Sequence, residues 1–451
     1  MRNISLPTPV AQILQTLQSA GFSAYVVGGC VRDSLLGRTP GDWDICTSAP
    51  PQQIRRLFSG LRQVLTGEKH GTVAVQLDGA LYEITTYRSD GAYTDHRHPD
   101  AVHFVAELCQ DLARRDFTIN AMAFAPGVGL VDLFGGQADL AAKTICAVGD
   151  APARFGEDAL RILRAARFAA QLDFTLEPAT AAAAAALRDT IRGIAAERVY
   201  AELDKLLGGA AAGRVLAQNG LILAGAIPEI LPCMGCTQPN AWHCYDVWQH
   251  LAATVAAADT TGLGARGARV LRWAALLHDL AKPLCRSVDA AGVIHFYGHN
   301  QRGAALAKSL LARLKAPAYL QQTVPELVAL HDASLPGTDY QILCALGKQG
   351  PAFWQGLARL KHADLAAHTQ NAAVAARRRE VERFDARMCF LAQNGCYTLA
   401  ALRVTGADAL AVGIAPGPKI GQCLHTLLDG VMQGTLPNER PALLAALRDM
   451  T

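Results

Sequence analysis

Hydrophobic and polar positions change their pattern once along the chain, near Ala153. Residues 23 to 146 carry short apolar runs separated by turns, the signature of strands mixed with helices. Ala24-Tyr25-Val26-Val27 reads as a buried strand running into a Gly28-Gly29 turn. Val73 to Leu77 and Leu81 to Tyr87 flank Asp78-Gly79-Ala80 and predict a β-hairpin. Ahead of these, apolar residues at helical spacing predict an amphipathic helix from about Pro9 to Ser19. From Ala153 onward almost everything reads helical, including the alanine-rich stretch 181 to 186. Punctuation there is short: Gly208-Gly209, Pro228 and Pro232, Gly262 to Gly267, Pro336-Gly337 and Pro416-Gly417-Pro418. The expected class is α+β, with a mixed-sheet head followed by an all-helical neck, body and tail.

Composition narrows this little. With 451 residues the chain suggests two to four domains. Its content of 51% apolar and 18% charged residues supplies ample core and argues against disorder. A net charge of +3 excludes a polybasic coat and leaves room for a local RNA-binding stripe. The N-terminal stretch has neither a long apolar core nor a cleavage site, and no segment approaches bilayer length, so the expected location is cytoplasmic. The twelve cysteines are scattered and read as small buried hydrophobes. Cys233-x-x-Cys236 with His243 and Cys244 could hold zinc, but its adjacent second pair suits a tetrahedral site poorly.

The stretch from Gly28 to Ile45 carries the most chemistry. Glycines after a strand let the backbone approach a triphosphate, and Arg32 adds a charged fork. Asp42 and Asp44 are one residue apart, so on an extended segment both side chains leave one face. Two carboxylates aimed at one point need a cation, and Mg2+ takes carboxylate and phosphate oxygens together. Either feature alone is most simply a turn or a solvated loop; together, behind a strand, they point to nucleotidyl transfer. Glu83 is the candidate third carboxylate, with an ion pair to Arg88 or Arg115 as the equal alternative.

This pattern resembles the catalytic motif of the class II tRNA nucleotidyltransferase and bacterial poly(A) polymerase family, within the DNA polymerase beta superfamily. Arg114-Arg115-Asp116-Phe117-Thr118-Ile119-Asn120-Ala121-Met122 resembles its second motif. The run Arg154 to Phe168 resembles its nucleotide-selecting motif, and Glu197 to Leu203 the neck that follows. The resemblance implies that Arg115 contacts the nucleotide and that Asp116 and Asn120 organise the sugar or metal shell. It assigns base reading to Asp158 and Arg161, with Arg164 and Arg167 in support. It also implies a head over 1–147, a nucleotide-selecting neck over 148–207, a body over 208–375 and a tRNA-binding tail over 376–451.

Asp158, Arg161, Arg164 and Arg167 recur every third residue and predict a slow spiral on one side of a packed helix. A carboxylate only accepts and a guanidinium only donates. Cytosine and adenine each offer an amine donor beside a ring-nitrogen acceptor, whereas uracil and guanine offer the reverse. One Asp–Arg pair therefore accepts C and A and opposes U and G.

Leu276-Leu277-His278-Asp279-Leu280-Ala281-Lys282, with His250 upstream and Asp364 downstream, resembles the HD phosphohydrolase superfamily. The resemblance implies a divalent transition-metal site of His250, His278, Asp279 and Asp364, with His295, His299 and His331 as further ligands or phosphate contacts. The alternative is a retained scaffold whose histidines are satisfied polar groups. Arg377-Arg378-Arg379 reads as a solvated helix face that could also meet tRNA phosphates.

The expected function is template-independent CCA addition to tRNA, with tRNA, CTP and ATP as partners, Mg2+ in the head, no membrane and no obligatory protein partner. The sister alternatives are a poly(A) polymerase and a CC-only or A-only enzyme. The stretch Gly67 to Arg97 lacks an extra basic segment and so leans against poly(A) synthesis. An HD metallophosphohydrolase acting on RNA ends is the alternative from another class.

Overall fold

In the computed structural model, which describes residues 4–90, 102–239, 242 and 244–450, the first helix spans Thr8–Ser19. It buries Val10, Ile13, Leu14 and Leu17, the one-face spacing that the sequence predicts. The strands that follow are β1 (Ala24–Val27), β2 (Ile45–Thr47), β3 (Gln63–Val64), β4 (Thr72–Leu77), β5 (Ala80–Thr86), β6 (Arg88–Asp90), β7 (Val102–Phe104), β8 (Met122–Ala125) and β9 (Gly129–Asp132). Seven of them form one sheet in the order β3-β4-β5-β2-β1-β8-β9. Only β2 and β5 pair in parallel, so the sheet is mixed. The predicted hairpin is β4–β5, closed by Asp78 and Gly79 with φ of 51° and 82°. Two left-handed residues give the turn whose twist matches antiparallel strands.

Helices take over at Ala151–Glu157, where Asp150 caps the Ala153 amide at 3.0 Å. Three short strands, the last three of the chain, interrupt the expected all-helical remainder. β10 (Thr144–Ile145), which lies before that remainder, pairs in parallel with β11 (Thr175–Leu176), and β12 (Ser287–Val288) forms a hairpin with β13 (Ile294–His295). Two-residue strands are too short for a period-2 signal, which is why the pattern misses them. The expected break at Gly262 to Gly267 is also narrower: the helix Gly264–Leu277 begins inside it. A helical glycine costs about 1 kcal/mol relative to alanine, which packing offsets. Gly209, after the helix Ala196–Leu207, has a firmer reason: a Cβ there would lie 2.5 Å from the Ala170 carbonyl carbon.

The chain divides into two units, Met1–Leu231 and Pro232–Thr451. The first holds the sheet and the neck helices. The second is helical and ends in a small core of its own around Leu402, Val404, Leu427, Leu443 and Leu447. Among the described residues no helix is long and apolar enough to cross a membrane.

Candidate functional site

β1 ends at Gly28, whose φ of 82° turns the chain into the short helix Gly29–Leu35. A Cβ on Gly28 would stand 3.0 Å from Arg115 Nη1, so glycine is needed for both conformation and approach. Arg32, nearly buried, donates to Asn120 Oδ1 at 2.6 Å and forks onto Asp33. Asn120 Nδ2 in turn donates to Asp116 Oδ1 at 3.1 Å. The other Asp116 oxygen accepts Arg164 Nε at 2.8 Å. Four residues from three separated motifs thus form one chain, buried at Arg32, Asn120 and Asp116 and half-buried at Arg164. Burial works against the Asp116 charge, but Arg164, Asn120 and Arg161 outweigh it and hold the pKa down at about 2.

Asp42 and Asp44 precede β2. Because Ile45 pairs with Ile84 in parallel register, Asp44 comes alongside Glu83 on β5. All three carboxylates line one open cavity of about 770 Å3, together with Trp43, His70 and Arg88. Among the described residues Glu83 makes no ion pair with Arg88 or Arg115: Arg88 donates to the His70 carbonyl, and Arg115 pairs with Asp111 at 3.3 Å. Asp44 is an exposed residue, yet its carboxyl sits among atoms that exclude water, and this loss of hydration is the largest effect raising its pKa. The charges of Asp42 and Glu83 add to it, and Arg115 opposes. This acidic cluster favours a cation.

The neck corrects one expectation. Asp158 does not share a helix with the three arginines. It sits in extended backbone (φ −137°, ψ 104°) between the helices Ala151–Glu157 and Leu160–Leu172. Its Oδ1 accepts the Leu160 amide at 3.0 Å, and its Oδ2 lies 3.3 Å from Arg198 Nη2. A short carboxylate competes with helical hydrogen bonding and caps instead. The Arg161 amide donates to the Asp158 carbonyl at 3.0 Å, but its guanidinium does not pair with the Asp158 carboxylate; it donates to Glu157, to the Arg154 carbonyl at 3.0 Å and to the Arg114 carbonyl at 3.0 Å. Arg167 pairs with Glu202, and the guanidiniums of Arg32, Arg164 and Arg167 lie within 5.4 Å of the centre of the Phe168 ring.

Several participants went unassigned in the sequence. Asp111, fully buried, holds Arg114 and Arg115; its i, i+3 and i+4 spacing to them was the available signal. Glu157, Arg198 and Glu202 carry only the ordinary signature of helix-face charges.

In the second unit His250, His278, Asp279 and Asp364 come together as expected. His250 Nε2 lies 3.2 Å from His278 Nε2 and 3.0 Å from Asp364 Oδ1. His299 and His331 join through Asp279, and His368 through Asp364. His295 does not join: it pairs with Asp289 at 2.8 Å on the β12–β13 hairpin. Lys282, three residues beyond Asp279, binds its Oδ2 at 2.6 Å. Nδ1 of His278, His299 and His331 each face a backbone carbonyl, at 2.9, 2.8 and 2.7 Å. A carbonyl only accepts, so Nδ1 carries the hydrogen and the neutral ring presents its Nε2 lone pair inward, the form that ligates a metal. Burial opposes a charge on His278, yet Asp279 and Asp364 raise its pKa to about 10, so its Nε2 takes a cation, a proton or a metal in the proton's place, while burial holds His250 below its ordinary value. The cluster is therefore built around positive charge, and its donors fit a divalent metal. Cys233, Cys236 and Cys244 belong to no such group among the described residues; Cys233 Sγ faces the Leu280 carbonyl at 3.6 Å, and His243 lies outside the described residues.

A mixed sheet with this carboxylate-lined cavity, followed by helices that hold an HD cluster, defines a nucleotidyltransferase with an HD domain. The comparisons agree. Residues 24–146 match the Poly A polymerase head domain, residues 173–233 the probable RNA and SrmB-binding site of polymerase A, and residues 243–384 the HD domain. The CCA-adding enzyme of Levilactobacillus brevis is 36% identical over 97% of this chain and 96% of its own. That of Limosilactobacillus fermentum is 35% identical over 98% and 96%. A crystal structure of the Bacillus stearothermophilus CCA-adding enzyme in complex with CTP aligns with a TM-score of 0.69 at 30% identity, covering 98% of both chains. The chain belongs to the family of CCA-adding enzymes.

Proposed function

We propose that this protein adds C, C and A in turn to the 3′ end of tRNA, using CTP and ATP and no template. The observation that carries the reading is the convergence of Asp42, Asp44 and Glu83 on one cavity, in a chain matched over almost its whole length by CCA-adding enzymes. Mg2+ is the ion we assign to the three carboxylates. When bound it would supply charge neutralisation at the phosphates and at the attacking 3′-hydroxyl. The rest of the work is positioning. Gly28 and Gly29 let the backbone approach the triphosphate, and Arg32 and Arg115 supply its cationic contacts. The Asn120–Asp116–Arg164 chain fixes the floor under the sugar. Asp158 and Arg161 read the base edge, accepting C and A by their donor and acceptor pattern. Arg198 and Glu157 hold them until a base arrives, and Arg167 supports the floor through Glu202. The four-part division into 1–147, 148–207, 208–375 and 376–451 belongs to this reading, as does a cytoplasmic location.

The deciding experiment offers tRNA lacking its 3′ end with CTP, ATP or both, and sequences the products. Ordered C-C-A is expected. A long A tail, or a halt after two C's, refutes CCA addition in favour of a sister activity. The comparison with poly(A) polymerases at Gly67 to Arg97 gains nothing from the fold, since 91–97 lie outside the described residues.

A second reading is favoured by the inward-facing Nε2 atoms of the HD cluster. We propose that it binds a divalent transition metal and hydrolyses phosphomonoesters or 2′,3′-cyclic phosphates at RNA ends.

A further inference from the structure

We infer that Phe168 is a positioning residue for nucleotide addition, its ring holding the guanidiniums of Arg32 and Arg164 in the orientation that meets the incoming nucleotide. The inference rests on the reading of the head as a nucleotidyltransferase and deepens it. Phe168 is buried on the helix Leu160–Leu172. Over its ring lie Arg32 Cζ at 5.1 Å from the centre, Arg164 Cζ at 5.4 Å and Arg167 Cζ at 3.9 Å. Phe117 meets the same ring edge-on, with centroids 5.8 Å apart and planes at 81°. One side chain thus joins the turn helix Gly29–Leu35, the motif Arg114 to Met122 and the helix of the neck. Arg164 reaches the ring from one turn earlier in its own helix, the i, i+4 spacing that makes two side chains neighbours. Arg32 arrives from the phosphate-binding turn of the head.

Three guanidiniums around one point repel one another, and carboxylates answer only part of that. Arg32 forks onto Asp33, Arg164 puts Nε and Nη2 on one oxygen of Asp116, and Arg167 pairs with Glu202. Burial works against the Arg167 charge and Arg164 adds to it, so its pKa lies below its ordinary value despite Glu202. The face of an aromatic ring carries negative potential, and a cation stripped of water gains most from lying over it. Orientation follows as well. A carboxylate holds a guanidinium by one edge and leaves its plane free to tilt about that edge. A ring beneath the plane removes that freedom. A guanidinium has five N–H groups, and Asp116 takes two from Arg164, so among the described residues Nη1 is left whole for a ligand oxygen. Arg164 is also the most accessible of the three, with 33% of its side chain exposed against 10% for Arg32 and for Arg167. An aliphatic side chain of similar size would fill the same space and hold none of these cations.

The test grades the potential of the ring and leaves its size almost unchanged. In the full chain Phe168 is replaced by phenylalanine carrying one, two or three ring fluorines, each of which weakens the negative face. Affinities for CTP and ATP are measured by calorimetry with Mg2+ present. The dissociation constants of both nucleotides are expected to rise with every fluorine, reaching about tenfold at three. Phe168→Leu should weaken both by about tenfold while keeping the native preference for CTP over UTP and the native affinity for tRNA. Equal affinity across the fluorine series, in a chain that binds CTP, overturns the role of the ring and leaves the proposed function standing. No CTP binding by the native chain overturns both. Loss of tRNA affinity in step with nucleotide affinity refutes positioning in favour of general disruption. Should Phe168→Leu fail to fold, the fluorine series decides alone.

Discussion

At Asp116 a stabilising charge coincides with the floor of the proposed nucleotide site. Its carboxylate, buried and bound by Asn120 and Arg164, has a pKa lowered from 3.8 to about 2. A lowered folded-state pKa stabilises above the unfolded value and is lost as pH falls through the folded one. The contribution is about 2 kcal/mol, fully present above pH ~5 and lost between pH ~4 and ~2. Asp116→Asn should therefore cost about 2 kcal/mol at pH 7, with the gap to the native chain closing toward pH 2 in denaturant titrations. A constant gap would remove the charge argument. Arg161 is the matching test of selectivity. Arg161→Ala should raise misincorporation of U by at least about tenfold while leaving tRNA affinity near its native value. Unchanged fidelity would end its base-reading role.

Elements are positioned by close approaches as much as by burial. The turn after the helix Ala196–Leu207 passes so near the helix Leu160–Leu172 that Gly209 has no room for a methyl group against Ala170. Gly209→Ala should lower stability by about 1–3 kcal/mol, seen as an earlier unfolding midpoint. That packing also places Glu202 against Arg167, so the variant should weaken nucleotide binding as well as folding. Full nucleotide affinity in a folded Gly209→Ala protein would uncouple the two.

Across the whole molecule, the two proposed ion sites fall in separate units. Asp42→Ala should abolish nucleotide addition and spare metal binding by the HD cluster, whereas His278→Ala should do the reverse. Loss of both properties in either variant would contradict separate sites.

Residue order alone determined the family-bearing motifs, the mixed head, the β4–β5 hairpin and the first helix, because each depends on local spacing or local turn chemistry. His250, His278, Asp279 and Asp364 were legible as a ligand set only through the resemblance to the HD superfamily. Tertiary structure alone decided partners. Glu83 turned toward Asp44 rather than Arg88 because β2 and β5 pair in parallel at Ile45 and Ile84. Asp158 left its expected helix and met Arg198, forty residues on, because capping the next helix satisfied a backbone amide. Asp279 became shared between two histidine groups because five separate segments deliver their side chains to one buried point. Periodicity reports which face of an element is buried; it carries no information about which distant charge that face will meet.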